Sequence, residues 1–408
     1  MKFIIALIIL VLITSCKQEN VKEISMKDDI TVLASDGYEG RETGTKGEQE
    51  AAAYISERFK ALGLQPKGTE GYLQRFSFKP KTDPHSEVSF GAKSTDSTIT
   101  GTNVLGYIDN KAEHTIIIGA HYDHLGYGGE GSLYREKDKA IHNGADDNAS
   151  GVAVMLNLVA KLKKANAKNN YLFMAFSGEE MGLLGSNYFV KHPTFDIKTA
   201  NYMINMDMVG RLKPDSTLAV YGTGTSPRFK QVLHAANKGF KLIKDESGVG
   251  PSDHTSFYLN DIPVLHFFTG QHEDYHKPSD DSDKLNYEGM ELISDYIFDV
   301  ITELDHSGKL AFRKTKDETS ESARFKVGLG VVPDYLFDGK GMRIDGLRED
   351  TPAANAGLLK GDIVQKLGDS TIIDIYGYMR ALSVFDKGDQ TKVIVDRNGE
   401  KIEADLEF

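Results

Sequence analysis

The chain has one cysteine and no tryptophan among its 408 residues. A lone thiol, Cys16, excludes intrachain disulfides and any cysteine-based metal site. It also lacks a basic stripe: 48 Lys and Arg stand against 60 Asp and Glu, a net charge of −12, which argues against nucleic acid as a partner. No apolar run reaches the ~20 residues needed to span a bilayer. A hydrophobic content of 40% does suffice for a sizeable core, and the length calls for about two domains.

The longest apolar run, residues 3–13, follows Lys2 and leads into Thr14, Ser15 and Cys16. That order reads as an export signal rather than a membrane span. The string ITSC resembles a bacterial lipobox, whose cysteine is lipidated. Residues 1–16 are therefore expected to be a lipoprotein signal ending at Cys16, and 17–25 a polar tether. The protein is expected to be exported and lipid-anchored at a bacterial membrane, on an outer-membrane, periplasmic or surface face.

Beyond the tether, apolar strands alternate with amphipathic helices over residues 26–305. The pattern predicts an α/β fold whose mostly parallel sheet is covered on both faces. TIIIGA, YLFMAF, YMINMD and PVLHFF read as buried strands, and 287–305 as the closing helix. Residues 306–323 have the composition of a linker. Residues 324–408 change texture, to short strands with turn signals and two brief helices, a small mostly-β domain.

Five stretches place metal-binding or proton-transferring side chains at strand ends: IIIGAHYDH, NGADDNASG, AFSGEE, INMDMVG and DYHKPSDD. In open α/β sheets, ligands bind beyond the carboxyl ends of the strands. Carboxylates buried there without cations would be costly. Counting donors gives Asp146 bridging two ions, His121 and Asp207 completing one set, and Glu180 and His276 the other. Asp123 is placed to accept the second ring N–H of His121. Glu179, a surplus carboxylate beside a ligand, is expected to act as the general base, with a metal-bridging hydroxide as nucleophile. Asp147 is assigned to support the turn. Asp253 and His254 are candidates for supporting or substrate contacts, and Tyr275 for the pocket wall. GYGGEG at 126–131 lacks the GK[ST] of a phosphate loop and reads as a flexible loop near the site.

In order and spacing, HYDH, GADDNASG, SGEE, NMDMVG and YHKPSDD resemble the motifs of the co-catalytic two-zinc exopeptidases of the bacterial leucyl aminopeptidase type. LASDGYEGRETGTKGEQEAAAYISERFKALGL and PSDHTSFYLNDIPVLHFFTG are similar to further parts of that family. The resemblance runs over residues 26–305. It implies the family's fold, two Zn2+ per chain at His121, Asp146, Glu180, Asp207 and His276, Glu179 as base, and a cis peptide after the bridging carboxylate, placed at Asp146–Asp147. Residues 324–408 resemble a PDZ domain of the bacterial protease type through VGLGVV and DTPAANAGLLKGDIVQKLGDSTI. The resemblance implies that Gly328, Leu329, Gly330 and Val331 capture a peptide terminus while the peptide adds a strand.

Together these features predict a zinc-dependent exopeptidase acting on peptides, foremost an aminopeptidase, with a peptide or protein ligand at the PDZ domain. A carboxypeptidase or dipeptidase on the same scaffold is the alternative. A glutaminyl cyclase fits less well, because that branch has a Trp-lined pocket. A non-catalytic binding module fits poorly beside an intact Glu179 and a full ligand set.

Overall fold

The structure is a computed structural model that describes residues 25–79, 90, 98–129, 131–134, 136, 138–165, 168–315, 327–334, 337, 339–348 and 351–408. Cys16, the segment read as a signal and nearly all of the segment read as a tether lie outside the described residues. No helix among the described residues is long and apolar enough to cross a membrane.

The first domain is built on a nine-stranded sheet. Its centre is four parallel strands in the order Asn170–Phe176, Thr115–His121, Ala200–Met206 and Val264–Phe268. Ile99–Ile108 pairs antiparallel on one side and Thr217–Tyr221 on the other, so the sheet is mixed rather than mostly parallel. Side chains alternate between two cores, as period-2 strands buried on both faces require. Ile116, Ile118, Ala120, Tyr171, Phe173 and Ala175 pack with helices Lys46–Ala61, Gly151–Lys164 and Tyr287–Leu304. Ile117, Leu172, Met174 and Phe176 pack with helices Leu184–Lys191 and His254–Tyr258.

Register decides where the chemistry can sit. His121 pairs with Phe176, Gly119 with Asn205, and Met206 with Phe267. The four parallel strands therefore end at one level. The chain leaving each of them carries His121, Glu179 and Glu180, Asp207, and His276.

An N-terminal turn closes over these ends through Arg41, whose side chain is fully buried. Its guanidinium donates to the carbonyls of Tyr122 (2.6 Å), Leu33 (2.5 Å), Asn143 (2.7 Å) and Gly144 (2.9 Å). Burial lowers its pKa to about 10, against the pull of Asp123, Asp147, Asp280 and Glu180, so it stays charged at neutral pH. Gly40 precedes it at φ 67°, where an added Cβ would come within 2.6 Å of the carbonyls of Gly126 and His142. Only glycine permits that approach.

The segment read as a linker starts on the surface of this domain. Leu310 N–H donates to Asn201 Oδ1 (2.7 Å), Arg313 N–H to the Thr225 carbonyl (2.8 Å) and Thr315 N–H to Tyr258 Oη (3.1 Å). The second domain has a six-stranded sheet running from Val331–Pro333 to Glu400–Glu407. Its own core includes Leu329, Ile344, Val364, Leu367, Val393 and Val395.

Replacing Arg41 by Met leaves the buried carbonyls of Tyr122, Leu33 and Asn143 without their donor, while Gly144 keeps the Ala149 N–H (3.2 Å), at about 1–3 kcal/mol for each orphaned group that water cannot reach. Arg41→Met is expected to lower stability by at least ~3 kcal/mol, read from the urea midpoint at unchanged slope. Arg41→Lys should recover less than half of this, since an ammonium has three donors and no fork geometry. A loss below about 1 kcal/mol would show that the turn holds without it.

Candidate metal centre

His121 ends its strand buried at 1% exposure. Its Nδ1 lies 3.2 Å from the Asp123 carbonyl oxygen and 3.6 Å from the Asp123 carboxylate, which leaves Nε2 free to face the cluster. The Asp123 carboxylate accepts from Thr43 Oγ1 (3.0 Å) and from the backbone N–H of Glu179 (3.2 Å). Asp123 thus positions both the imidazole and the neighbouring base candidate.

The two adjacent aspartates of GADDNASG point opposite ways, and this corrects the sequence expectation. Asp147 Oδ1 lies 3.3 Å from His121 Nε2, while Asp147 Oδ2 lies 3.1 Å from His276 Nε2. Asp146 turns away. Its Oδ1 accepts from Gly210 N–H (2.6 Å) and its Oδ2 lies 3.2 Å from His272 Nε2. The cis peptide is correspondingly Asp147–Asn148, one residue later than expected. Asp280 Oδ2 accepts from the backbone N–H groups of both aspartates (2.9 and 3.1 Å), and Asn148 Oδ1 accepts from Gly151 and Met208 N–H. The turn is held by Asp280 and Asn148, leaving the Asp147 carboxylate available to the cluster.

Two further oxygens complete the group. Asp207 Oδ1 stands 3.3 Å from His121 Nε2, and Glu180 Oε2 stands 3.4 Å from His276 Nε2. These four separations span 3.1–3.4 Å. Donors about 2.0–2.2 Å from a tetrahedral ion are spaced roughly 3.3–3.6 Å apart. The residues therefore fit two cation positions, His121–Asp147–Asp207 and His276–Asp147–Glu180, with Asp147 common to both. His124 also comes close, and it joins Asp147 and Glu180 in a group whose donor atoms lie within 4.8 Å of one another. Its Nδ1 is only 2.7 Å from Glu180 Oε1, a hydrogen-bond length, and 3.9 Å from Asp147. We assign it to orienting Glu180. HYDH contains this histidine in plain view, but nothing in the sequence sets its ring against Glu180.

Glu179 lines the same pocket without pairing to an imidazole at these distances. Burial raises its pKa well above the usual carboxylate range, His121 opposes this, and Asp207, Asp253 and Glu180 add to it. His276 donates from Nδ1 to the Gly131 carbonyl (2.8 Å) and stacks on Tyr275 with centroids 3.8 Å apart. Burial works against its charge, but Glu180 and Asp147 raise its pKa to about 9.

The pocket in front of the cluster has a volume of about 90 Å³. Met208, Tyr221, Phe268 and Tyr275 form its apolar wall, and Tyr275 is where the sequence placed it. Asp253 and His254 do not line it. Both are fully buried at the start of helix His254–Tyr258, and His254 stacks at 4.5 Å on His266, which does reach the pocket. Burial is the main cause pushing Asp253 up to about 7.

Comparison with known proteins finds two matching regions. Residues 103–301 match peptidase family M28, and residues 312–408 match the PDZ domain. Two regions of the chain are thus similar to known domains, first an M28 peptidase and then a PDZ domain. Over 174 residues it is 32% identical to a probable leucine aminopeptidase of Trichophyton verrucosum, covering 40% of this chain and 44% of that protein. Over 165 residues it is 32% identical to aminopeptidase YwaD of Bacillus subtilis, covering 38% and 36%. The chain thus spans less than half the length of these curated relatives. The solved structure of BSAP, a zinc aminopeptidase from Bacillus subtilis, shares the fold with TM-score 0.52 at 18% identity, covering 71% of this chain and 96% of that one.

A cation binding here must displace the proton that His276 holds up to pH ~9. Zinc affinity is therefore expected to rise with pH between 6.5 and 9, and calorimetry at pH 7 in buffers of different ionisation enthalpy should show proton release. The folded metal-free pKa lies above the unfolded value. Its stabilising contribution is full below pH ~6.5 and is lost as pH rises through ~9. The metal-free protein should accordingly lose thermal stability over that window relative to the zinc-loaded form. Proton-neutral binding at pH 7 would contradict the assignment.

Proposed function

We propose that the chain is a zinc-dependent aminopeptidase that removes apolar N-terminal residues from peptides, with two zinc ions held by His121, Asp147, Asp207, Glu180 and His276. The observation that carries this reading is the Asp147 carboxylate, whose two oxygens face the imidazoles of His121 and His276, with Glu179 left over beside them. Bound zinc supplies Lewis-acid polarisation of the scissile carbonyl and acidifies water at neutral pH.

The chain's own residues do the rest. Glu179 takes the proton of the attacking water on its carboxylate and delivers it to the leaving amine. Asp123 holds the Glu179 backbone N–H, and His124 holds Glu180 in place. The wall of Met208, Tyr221, Phe268 and Tyr275 receives an apolar side chain. Attack at the N-terminal end follows from the charges. None of the described residues lining the pocket is Lys or Arg, so a substrate's terminal carboxylate finds no cationic side chain. Gln271 Oε1, buried in the wall and lacking a hydrogen-bond donor among the described residues, offers an acceptor to a free α-ammonium.

The export reading completes the picture. The sequence ITSC supports a lipid on Cys16 and a tethered enzyme, while Gly328, Leu329, Gly330 and Val331 would give the PDZ domain its terminus-binding loop. Expression of Cys16→Ser should move the protein from the membrane to the soluble fraction, and unchanged fractionation would remove the anchor from this account.

The catalytic reading predicts hydrolysis of leucyl anilide and no hydrolysis of its N-acetyl form. Glu179→Gln should keep its zinc and lose roughly 10²–10⁴-fold in kcat. Asp147→Asn should fail to retain two zinc ions, whereas Asp146→Asn should keep both with affinity lowered about 10–100-fold. Turnover of the blocked substrate, or full activity in Glu179→Gln, would sink the mechanism. A preference for peptides blocked at the N-terminus and free at the C-terminus would favour the carboxypeptidase alternative.

A further inference from the structure

A second and larger cavity, about 870 Å³, lies between the two domains. That volume falls within the ~300–1,000 Å³ that accommodate a drug-sized ligand. The catalytic pocket is roughly a tenth as large and has room for little beyond one side chain. The peptidase contributes Leu133, Tyr134 and Tyr275 to the cavity wall, and the PDZ domain contributes Val332, Ala354 and Leu359. Tyr275 lines both spaces, so the cleft begins where the wall of the smaller pocket ends. Tyr134 at 36% and Leu359 at 52% exposure present apolar surface to it.

The two domains meet on the loop that holds His276. The Gly131 carbonyl accepts from His276 Nδ1, and Leu133 N–H donates back to the His276 carbonyl (2.9 Å). Leu133 Cδ1 lies 3.6 Å from where a Cβ on Gly346 would stand, so the PDZ domain closes directly over this loop. Val332 faces the cleft, whereas the preceding Val331 packs against the PDZ core, as alternation along the strand Val331–Pro333 requires.

We propose that this cleft binds the part of a peptide substrate beyond the scissile bond. The PDZ domain would then be the outer wall of the substrate site. This rests on the aminopeptidase reading for the direction in which the substrate runs. The lining charges balance, with Lys277, Arg348 and Lys360 against Glu136, Glu273 and Asp345, and Lys360 is paired to Asp345 at 3.1 Å. An apolar, charge-balanced wall suits a short segment of peptide with little demand on its sequence.

The test uses the full chain and two substitutions that fill the cleft from the PDZ side, Ala354→Trp and Leu359→Trp. For leucyl anilide, which has no residue beyond the scissile bond, kcat/KM should stay within twofold of the parent. For a pentapeptide with N-terminal Leu it should fall at least fivefold, mainly through KM. Equal losses on both substrates, or no loss on either, would overturn the proposal.

Binding of a fluorescent hexapeptide to Glu179→Gln chains, by anisotropy, gives a readout independent of turnover. Affinity lowered at least fivefold by Ala354→Trp supports the cleft even if the anilide is not a substrate, a result that would count against the aminopeptidase reading alone. Affinity indifferent to both substitutions but abolished by amidating the peptide's C-terminus would assign binding to the PDZ terminus loop and overturn the cleft.

Discussion

Everything at the strand ends depends on keeping the Asp147 carboxylate between two imidazoles in a buried place crowded with other carboxylates. Asp207, Glu180 and Glu179 all face the same small space. In a low-dielectric pocket such like charges repel strongly and need cations or protons to coexist. The neighbouring carboxylates raise the pKa values of His121 and His276 despite burial, while Asp147 is held well below the ordinary range because hydrogen bonds to both rings outweigh its desolvation. Divalent cations would answer the same demand. The surrounding framework of Arg41, Asp280 and Asn148 keeps the backbone fixed whichever charge is present.

Arg41 and Asp280 perform related tasks from opposite sides. Arg41 gathers carbonyls from the end of the first ligand-bearing strand and from the approach to the Asp147 turn. Asp280, four residues after His276, accepts the N–H groups of Asp146 and Asp147. A segment distant in sequence thereby ties one cluster residue to the backbone carrying another. Asp274, bonded by Ser279 and Lys284 and paired with Arg211, braces the same loop. Hydrogen bonds to buried charged groups contribute more than neutral ones, so the cluster is held by its supports rather than by its own repelling members.

Much of this was legible in the sequence. Apolar strand runs followed by chemical side chains located the site, and the alternation of strands and helices gave the α/β class. What periodicity does not report is strand direction at the sheet margins, and there Ile99–Ile108 and Thr217–Tyr221 run antiparallel. The choice between Asp146 and Asp147 was illegible for a related reason. Neighbours on a turn point apart, and which one faces inward depends on backbone bonds to Gly210 and Asp280, more than 60 residues away. Arg41 was hidden in a glycine-rich turn whose composition signals a loop. Asp253 and His254 read as candidates for substrate contacts, but the short helix they begin buries both, with His254 stacked on His266.

The placement of the PDZ domain bears on why, under the proposed activity, a chain with so small a pocket at its metal centre would carry it. A 90 Å³ space would distinguish the residue being removed but has little surface with which to hold the remainder of a peptide. Binding energy gathered away from the reacting bond is what positions that bond for attack. The cleft adds apolar wall where the catalytic domain alone has an exposed loop. Because that loop also holds His276 by its ring and its backbone, filling the cleft and steadying the ligand are mechanically one event. An appended domain positioned here would influence turnover through KM first, since it touches the substrate's remote part and not the reacting atoms.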